Sequence, residues 1–248
     1  MIRSRLALAI DMPPVLVLQH LSADGPAYLA HWLRMQGMRF DVRNTEAGDV
    51  YPDAVTGYAA LAILGGEMSA NDPLPSLRQA ERLLLQAMDR GVPVIGHCLG
   101  GQLMARALGA RIVDAPAPEV GWQPLQVLDS PAAAAWLGAP GPRTVFQWHY
   151  EAFELPAGAE LLAGSAASPH QAFAIGPHLA MQFHVEVDAE KLGRWVHDDG
   201  ARYCQALLEH ATVQGPQEMR AGTARHLAHQ QALADRVYRR WLGAWISE

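Results

Sequence analysis

The chain of 248 residues predicts an α/β fold: a doubly wound, mostly parallel central sheet with helices on both faces, an antiparallel extension, and a C-terminal helical appendage. Three observations carry this reading. Apolar runs rich in Val, Ile and Leu alternate with helix-like segments from Pro13 to Gly109. Strand-like runs separated by Gly and Pro dominate from about 110 to 187, and the pattern turns helical after Asp188. Alternating strands and helices require crossover connections, which cover a parallel sheet on both faces; successive strands joined by turns extend it antiparallel.

The elements follow in order. "PPVLVLQH" reads as a strand, "GPAYLAHWLRMQGM" as a helix, "RFDVRN" as a strand, and "YAALAILGG" as a strand running into glycines. "PSLRQAERLLLQAMDRG" opens on Pro75, spaces its apolar residues by three and four, and stops at Gly91, as a capped helix does. "VPVIGH" is a strand and "LGGQLMARALG" a helix closed by Gly109. "ARIVDA", "PLQVLD", "RTVFQWH", "HQAFAIG" and "LAMQFHVEV" supply the antiparallel strands, and the alanine run 132–135 favours a helix. Finally, "TARHLAHQQALADRVYRRWLGAW" sets Leu227, Leu233, Val237, Trp241 and Trp245 at helical spacing. That helix is expected to dock on the domain or on a second subunit, so a homodimer stays open. The division expected is a core domain over 1–205 and a C-terminal helical extension over 206–248 packing on it.

Composition narrows the function. Half of the residues are hydrophobic, enough for a substantial core, and the net charge is −6. With no Lys/Arg cluster to neutralise phosphates, nucleic acid is an unsuitable partner. "MIRSRLALAIDMPP" resembles a signal peptide superficially, but Asp11 ends its apolar run early. No segment reaches the about 18 apolar residues of a membrane span, so no membrane partner is expected. Two widely separated cysteines make no disulfide framework, and a cytoplasmic location is expected.

One of those cysteines lies in "PVIGHCLGGQLMARALG". A strand that turns sharply into a helix puts Cys98 at the carboxyl edge of the sheet, where doubly wound folds bind ligands. The helix N-terminus there favours the thiolate, the nucleophilic form. Gly96, Gly100 and Gly101 give the turn the room that a nucleophile elbow needs. Taken alone, the position fits a nucleophile or a small buried core residue. His97, just before it, points away and suits a structural role.

A nucleophile needs a base, and the base an orienting partner. "MQFHVEV" offers His184 and Glu186, two apart and therefore on one face of a strand; as a lone pair they equally fit an exposed polar face. "ILGGEMSAND" adds a glycine pair after a strand, where a backbone N–H can meet a developing oxyanion.

With "GHCLGGQ" and "MQFHVEV" following in that order, residues 14–190 resemble the triad-type (class I) glutamine amidotransferase family. The likeness is to stand-alone members akin to the amidotransferase part of GMP synthase. It implies a flavodoxin-like core and a cysteine that attacks the side-chain amide of glutamine, forms a γ-glutamyl thioester and releases ammonia. It makes Cys98 the nucleophile, His184 the general base and acid, and Glu186 its orienter. It makes the backbone N–H groups of Gly66 and Leu99 the oxyanion hole, and gives Gln102 a part in holding substrate. "QWHYEAF" is similar to the segment bordering the substrate's amino-acid end, which implies Trp148, His149 and Tyr150 at the pocket rim. "EVGW", Glu119 to Trp122, is similar to a segment of stand-alone members but receives no chemical role.

Two departures stand out. Glu67 follows the glycine pair where many relatives have proline, and its charge would repel a substrate carboxylate or attract an amine. Val185 replaces a proline between the histidine and the glutamate.

Elsewhere the candidates are plainer. Cys204 falls in a helical pattern and is expected to pack. His226 and His229 lack further metal ligands, so a solvated helix face is expected. His184, Glu186 and Asp188 alternate and would form a metal site only if Cys98 and its glycines went unexplained. No metal and no cofactor are expected, and no Gly-rich phosphate loop is present. The substrate expected is a small molecule, glutamine or a related γ-glutamyl compound. About 40 residues follow the core's last helix, too few for a synthetase domain, so a separate synthase subunit or a free-standing γ-glutamyl hydrolase is implied. The alternative of another class is a catalytically silent binding or regulatory protein on the same fold.

Overall fold

The computed structural model describes residues 12–197 and 200–246. The stretch that resembles a signal peptide, up to Asp11, lies outside them.

Among the described residues nine strands form one sheet: β1 (Val15–Gln19), β2 (Phe40–Asn44), β3 (Ala60–Ile63), β4 (Val94–His97), β5 (Ile112–Val127), β6 (Gly141–Phe153), β7 (Glu160–Gly164), β8 (Ala172–Ile175) and β9 (His178–Met181). Their order is β2-β1-β3-β4-β9-β8-β7-β5-β6. β2, β1, β3, β4 and β9 run parallel, and every pairing from β9 to β6 is antiparallel. Among the described residues there are seven helices: α1 (Ala27–Met35), α2 (Pro75–Asp89), α3 (Leu99–Ala107), α4 (Pro131–Leu137), α5 (Ala189–Trp195), α6 (Ala201–Glu209) and α7 (Pro216–Trp241).

The central strands β1, β3 and β4 are buried throughout, as near-continuous aliphatic runs covered on both faces must be. Their side chains alternate between two cores. Val15, Val17, Ala60 and Ala62 face α1 and α7, while Leu16, Leu18, Leu61 and Ile63 face α2 and α3. α7 buries Leu233, Val237, Tyr238 and Trp241 in the first of these cores; Leu227 is half-buried and Trp245 is 38% exposed. The helix is therefore an integral wall of the core. No helix among the described residues is long and apolar enough to cross a membrane.

Three strand expectations change. "ARIVDA" and "PLQVLD" are one strand, β5, whose pairing with β6 shifts register between Asp114 and Glu119. The proline-bearing stretch that reads as a break is absorbed there as an irregularity. β7, in "ELLAG", has too few β-branched residues to announce itself. β9 stops at Met181, so Gln182–Val187 is not strand. The reason is a change of partner. His184 N–H donates to Phe146 O at 3.0 Å, which draws the chain off its sheet neighbours toward β6.

Candidate active site

β4 ends at His97; at Cys98 the backbone takes φ +49° and ψ −108°, and α3 starts at the next residue. A non-glycine residue in that region carries strain of about 1–3 kcal/mol. Its neighbours hold it there: Cys98 N–H donates to Met181 O at 2.8 Å, and Cys98 O accepts Gln102 N–H at 3.0 Å. The glycines are needed for close approach. A Cβ on Gly96 would stand 2.5 Å from the Gly100 carbonyl oxygen, one on Gly100 would collide with the Ile63 carbonyl, and one on Gly101 would lie 2.6 Å from Met181 O.

His184 and Glu186 sit beyond the end of β9, in irregular chain rather than on a strand face. They meet all the same: His184 Nδ1 lies 2.8 Å from Glu186 Oε1, with both side chains almost wholly buried. The imidazole and the thiol-bearing carbon both close on Gly65, for a Cβ built on it would lie 3.1 Å from His184 Cε1 and 3.7 Å from Cys98 Cβ. Among the described residues no hydrogen-bond partner is placed on His184 Nε2. Burial works against a charged imidazole, but the Glu186 carboxylate and the nearby Cys98 thiol outweigh it and push His184 up to about 10. Glu186 goes the other way. Burial disfavours its charge, yet Lys191 and His184 hold it well below the usual carboxylate range. Asp188 caps α5 by accepting Lys191 N–H at 2.8 Å. Among the described residues no group of three His, Cys, Asp or Glu is placed to hold a metal.

Cys98 and His184 open onto a cavity of about 530 Å³, a volume typical of small-molecule sites. Gly66, Glu67, Trp148 and Tyr150 line it as well. Leu99, buried, begins α3, and a Cβ on Gly66 would lie 2.9 Å from its Cδ2. Trp148 O accepts the Cys98 thiol at 3.7 Å, a long contact. His149 also borders the cavity through its backbone position, but its imidazole is 1% exposed and lies on the other side of β6, 3.2 Å from Glu119 Oε2. Strand alternation is the cause: Trp148 and Tyr150 point one way and His149 the other. Gln102 is buried, and its amide nitrogen is committed to Glu151 O at 3.0 Å and Gln182 Oε1 at 3.3 Å.

The model of the class I glutamine amidotransferase family matches residues 27–201. The chain belongs to that family. It is similar to the glutamine amidotransferase-like protein YfeJ of Salmonella typhimurium, 25% identical over 232 residues, 89% of this chain and 92% of that one. With the GMP synthase of Aeropyrum pernix the identity is 30% over 196 residues, 78% of this chain and 37% of the synthase. A solved glutamine amidotransferase from Methylobacillus flagellatus has TM-score 0.89 and 31% identity, covering 96% of this chain and 97% of that one.

Class I amidotransferases are generally cysteine-nucleophile enzymes, and several residues around this member's cysteine escape a reading by sequence. Gln182 Nε2 donates to Cys98 Sγ at 3.5 Å while its oxygen accepts Gln102. Gln230, on α7 and beyond the stretch matched by the family model, donates to His184 O at 2.5 Å. Lys191 is fully buried between Glu186 and Asp24. Glu119, which has no role by resemblance, accepts from Ser165 Oγ at 2.9 Å and Gln171 Nε2 at 2.6 Å besides facing His149. Gln182, inside "MQFHVEV", and Glu119, which opens "EVGW", stood in recognisable signals.

Other expectations resolve more simply. Cys204 lies on α6 but is exposed rather than packed. His229 is exposed, whereas His226 is half-buried with its ring 5.5 Å from Trp122. His97 is buried beside Tyr238, and burial pushes it down to about 4 against the pull of Glu186.

Proposed function

We propose that the protein hydrolyses the γ-glutamyl C–N bond of glutamine or a related γ-glutamyl compound through a thioester on Cys98. The observation that carries this is the strained Cys98 elbow and the 2.8 Å His184–Glu186 pair meeting at one cavity.

His184 takes the thiol proton, and Glu186 stabilises the imidazolium. The Cys98 sulfur attacks the side-chain carbonyl carbon, and the N–H groups of Gly66 and Leu99 receive the oxyanion. His184 returns its proton to the departing nitrogen, the C–N bond breaks, and ammonia or an amine leaves. Water, deprotonated by His184, then attacks the thioester; the C–S bond breaks and glutamate is freed. Glu67, Trp148 and Tyr150 recognise the rest of the substrate, with Gln102 contributing its carbonyl oxygen.

A second reading, delivery of ammonia to a separate synthase subunit, is favoured by the likeness to the GMP synthase of Aeropyrum pernix. One assay separates them: glutamate release by the purified protein alone from glutamine and from γ-glutamyl peptides, with Cys98→Ala as control. Cys98-dependent turnover of peptides supports the free-standing hydrolase. Turnover restored only by a co-purifying partner supports the synthase reading. Silence under both conditions leaves a binding protein and overturns the proposal.

A further inference from the structure

Lys191 is the most unusual charge in the molecule. Its side chain is fully buried, and a buried ammonium costs several kcal/mol unless its hydrogen bonds are met. Its ammonium donates to Glu186 Oε1 and to Gly25 O, each at 3.0 Å, and forms an ion pair with the Asp24 carboxylate. Asp188 caps the turn that carries Lys191, which fixes where the side chain starts.

The contacts close a ring around the site. Glu186 Oε1, which meets Lys191, also meets His184 Nδ1. Asp24 returns to the glycine turn, since a Cβ on Gly65 would lie 2.7 Å from Asp24 Oδ2 and 3.1 Å from His184 Cε1. The Trp195 ring lies 4.8 Å from Lys191 Nζ and 4.9 Å, edge-on, from the His184 ring.

We propose that Lys191 is a positioning residue of the triad: its ammonium, shared between Glu186 and Asp24, holds the Glu186 carboxylate ionised and aimed at His184. The proposal rests on the reading of Cys98, His184 and Glu186 as a working triad. Lys191 itself reaches no substrate; it acts through Glu186. Other groups face Glu186 too: His184 in contact, His97 from β4, and Tyr238 from α7, with Asp24 across Lys191. Lys191 is the buried permanent cation among these. Removing it lets Glu186 take up a proton at higher pH, which weakens the imidazolium and delays the thiolate. Neutralising Asp24 leaves the ammonium to Glu186 alone and does the opposite.

The test follows iodoacetamide alkylation of Cys98 against pH in a Cys204→Ser background, alongside glutamate release. Lys191→Met is expected to raise the half-maximal pH by at least about half a unit, and Asp24→Asn to lower it. Lys191→Arg, which keeps the charge, should stay near wild type. A role in packing alone would change stability without opposite shifts. Midpoints that do not move, or that move together, overturn the proposal. Should Lys191→Met fail to fold, Asp24→Asn decides: a downward shift supports the assignment, and no shift or an upward one refutes it. A parent protein whose Cys98 alkylates no faster than an unstructured thiol, with no glutamate released, overturns the triad reading itself and this proposal with it. That result is distinct from a reactive parent whose variants do not shift.

Discussion

In the parallel half of the sheet, backbone shape builds the site. Gly96, Gly100 and Gly101 let β4, α3 and the end of β9 approach until no Cβ fits, and Cys98 is thrown forward by its own strained dihedrals. In the antiparallel half, buried polar side chains do the equivalent work. Glu119 gathers His149, Ser165 and Gln171 beneath β6, whose opposite face presents Trp148 and Tyr150 to the cavity. The first half should be intolerant of added volume, and the second of lost hydrogen bonds or charge. His184 sits at the seam. Its N–H belongs to β6 through Phe146 O, and its ring faces the elbow.

The largest effect is expected at that seam. Glu186→Gln should lower glutamate release by about 10²–10⁴-fold, because the imidazolium loses its counter-charge; steady-state kinetics showing less than a tenfold loss would detach Glu186 from the chemistry. Next comes the parallel half. Gly100→Ala forces a methyl group into the Ile63 carbonyl and should cost about 3 kcal/mol, read by denaturant unfolding. A neutral result there would show that the elbow has slack.

The antiparallel half answers to a different change. Glu119→Gln alters almost no volume but replaces a buried carboxylate, which accepts from Ser165 Oγ and Gln171 Nε2 and faces His149, by a neutral amide with one acceptor oxygen fewer, and should cost about 1–3 kcal/mol in the same unfolding experiment. If it cost nothing while Gly100→Ala cost much, the polar cluster would be incidental to the fold. A subtler contrast isolates the strain at the elbow: Cys98→Gly should be more stable than Cys98→Ala by about 1 kcal/mol, since glycine relieves the positive φ. Equal melting temperatures would argue against strain. Smallest of all, Glu67→Gln at the exposed lip of the cavity should shift KM only a few-fold with kcat unchanged, as rim charges do.

These two halves were not equally legible. The strand–elbow–helix around Cys98 can be read from "PVIGHCLGGQ" because the constraint is local: glycines stand where neighbouring backbone leaves no room for a side chain. The central strands β1, β3 and β4 announce themselves as aliphatic runs for a similar reason, burial on both faces. His184 and Glu186 were recognisable as a spaced pair, but the strand expected under them ends at Met181. Their meeting depends instead on Phe146 and Gln230, which hold the His184 backbone from β6 and α7.

By itself, then, the sequence determined the fold class, the elbow and the residue types of the site, because periodicity, glycine placement and short motifs act over a few neighbouring residues. The tertiary structure alone decided that His149 turns to Glu119 while Trp148 and Tyr150 face the cavity, that α7 is a wall of the core that reaches His184, and that Lys191 lies between Asp24 and Glu186. Each of these joins groups far apart in the chain. A buried charge or polar atom is stable only where such distant partners converge, and that convergence exists only once the sheet has assembled.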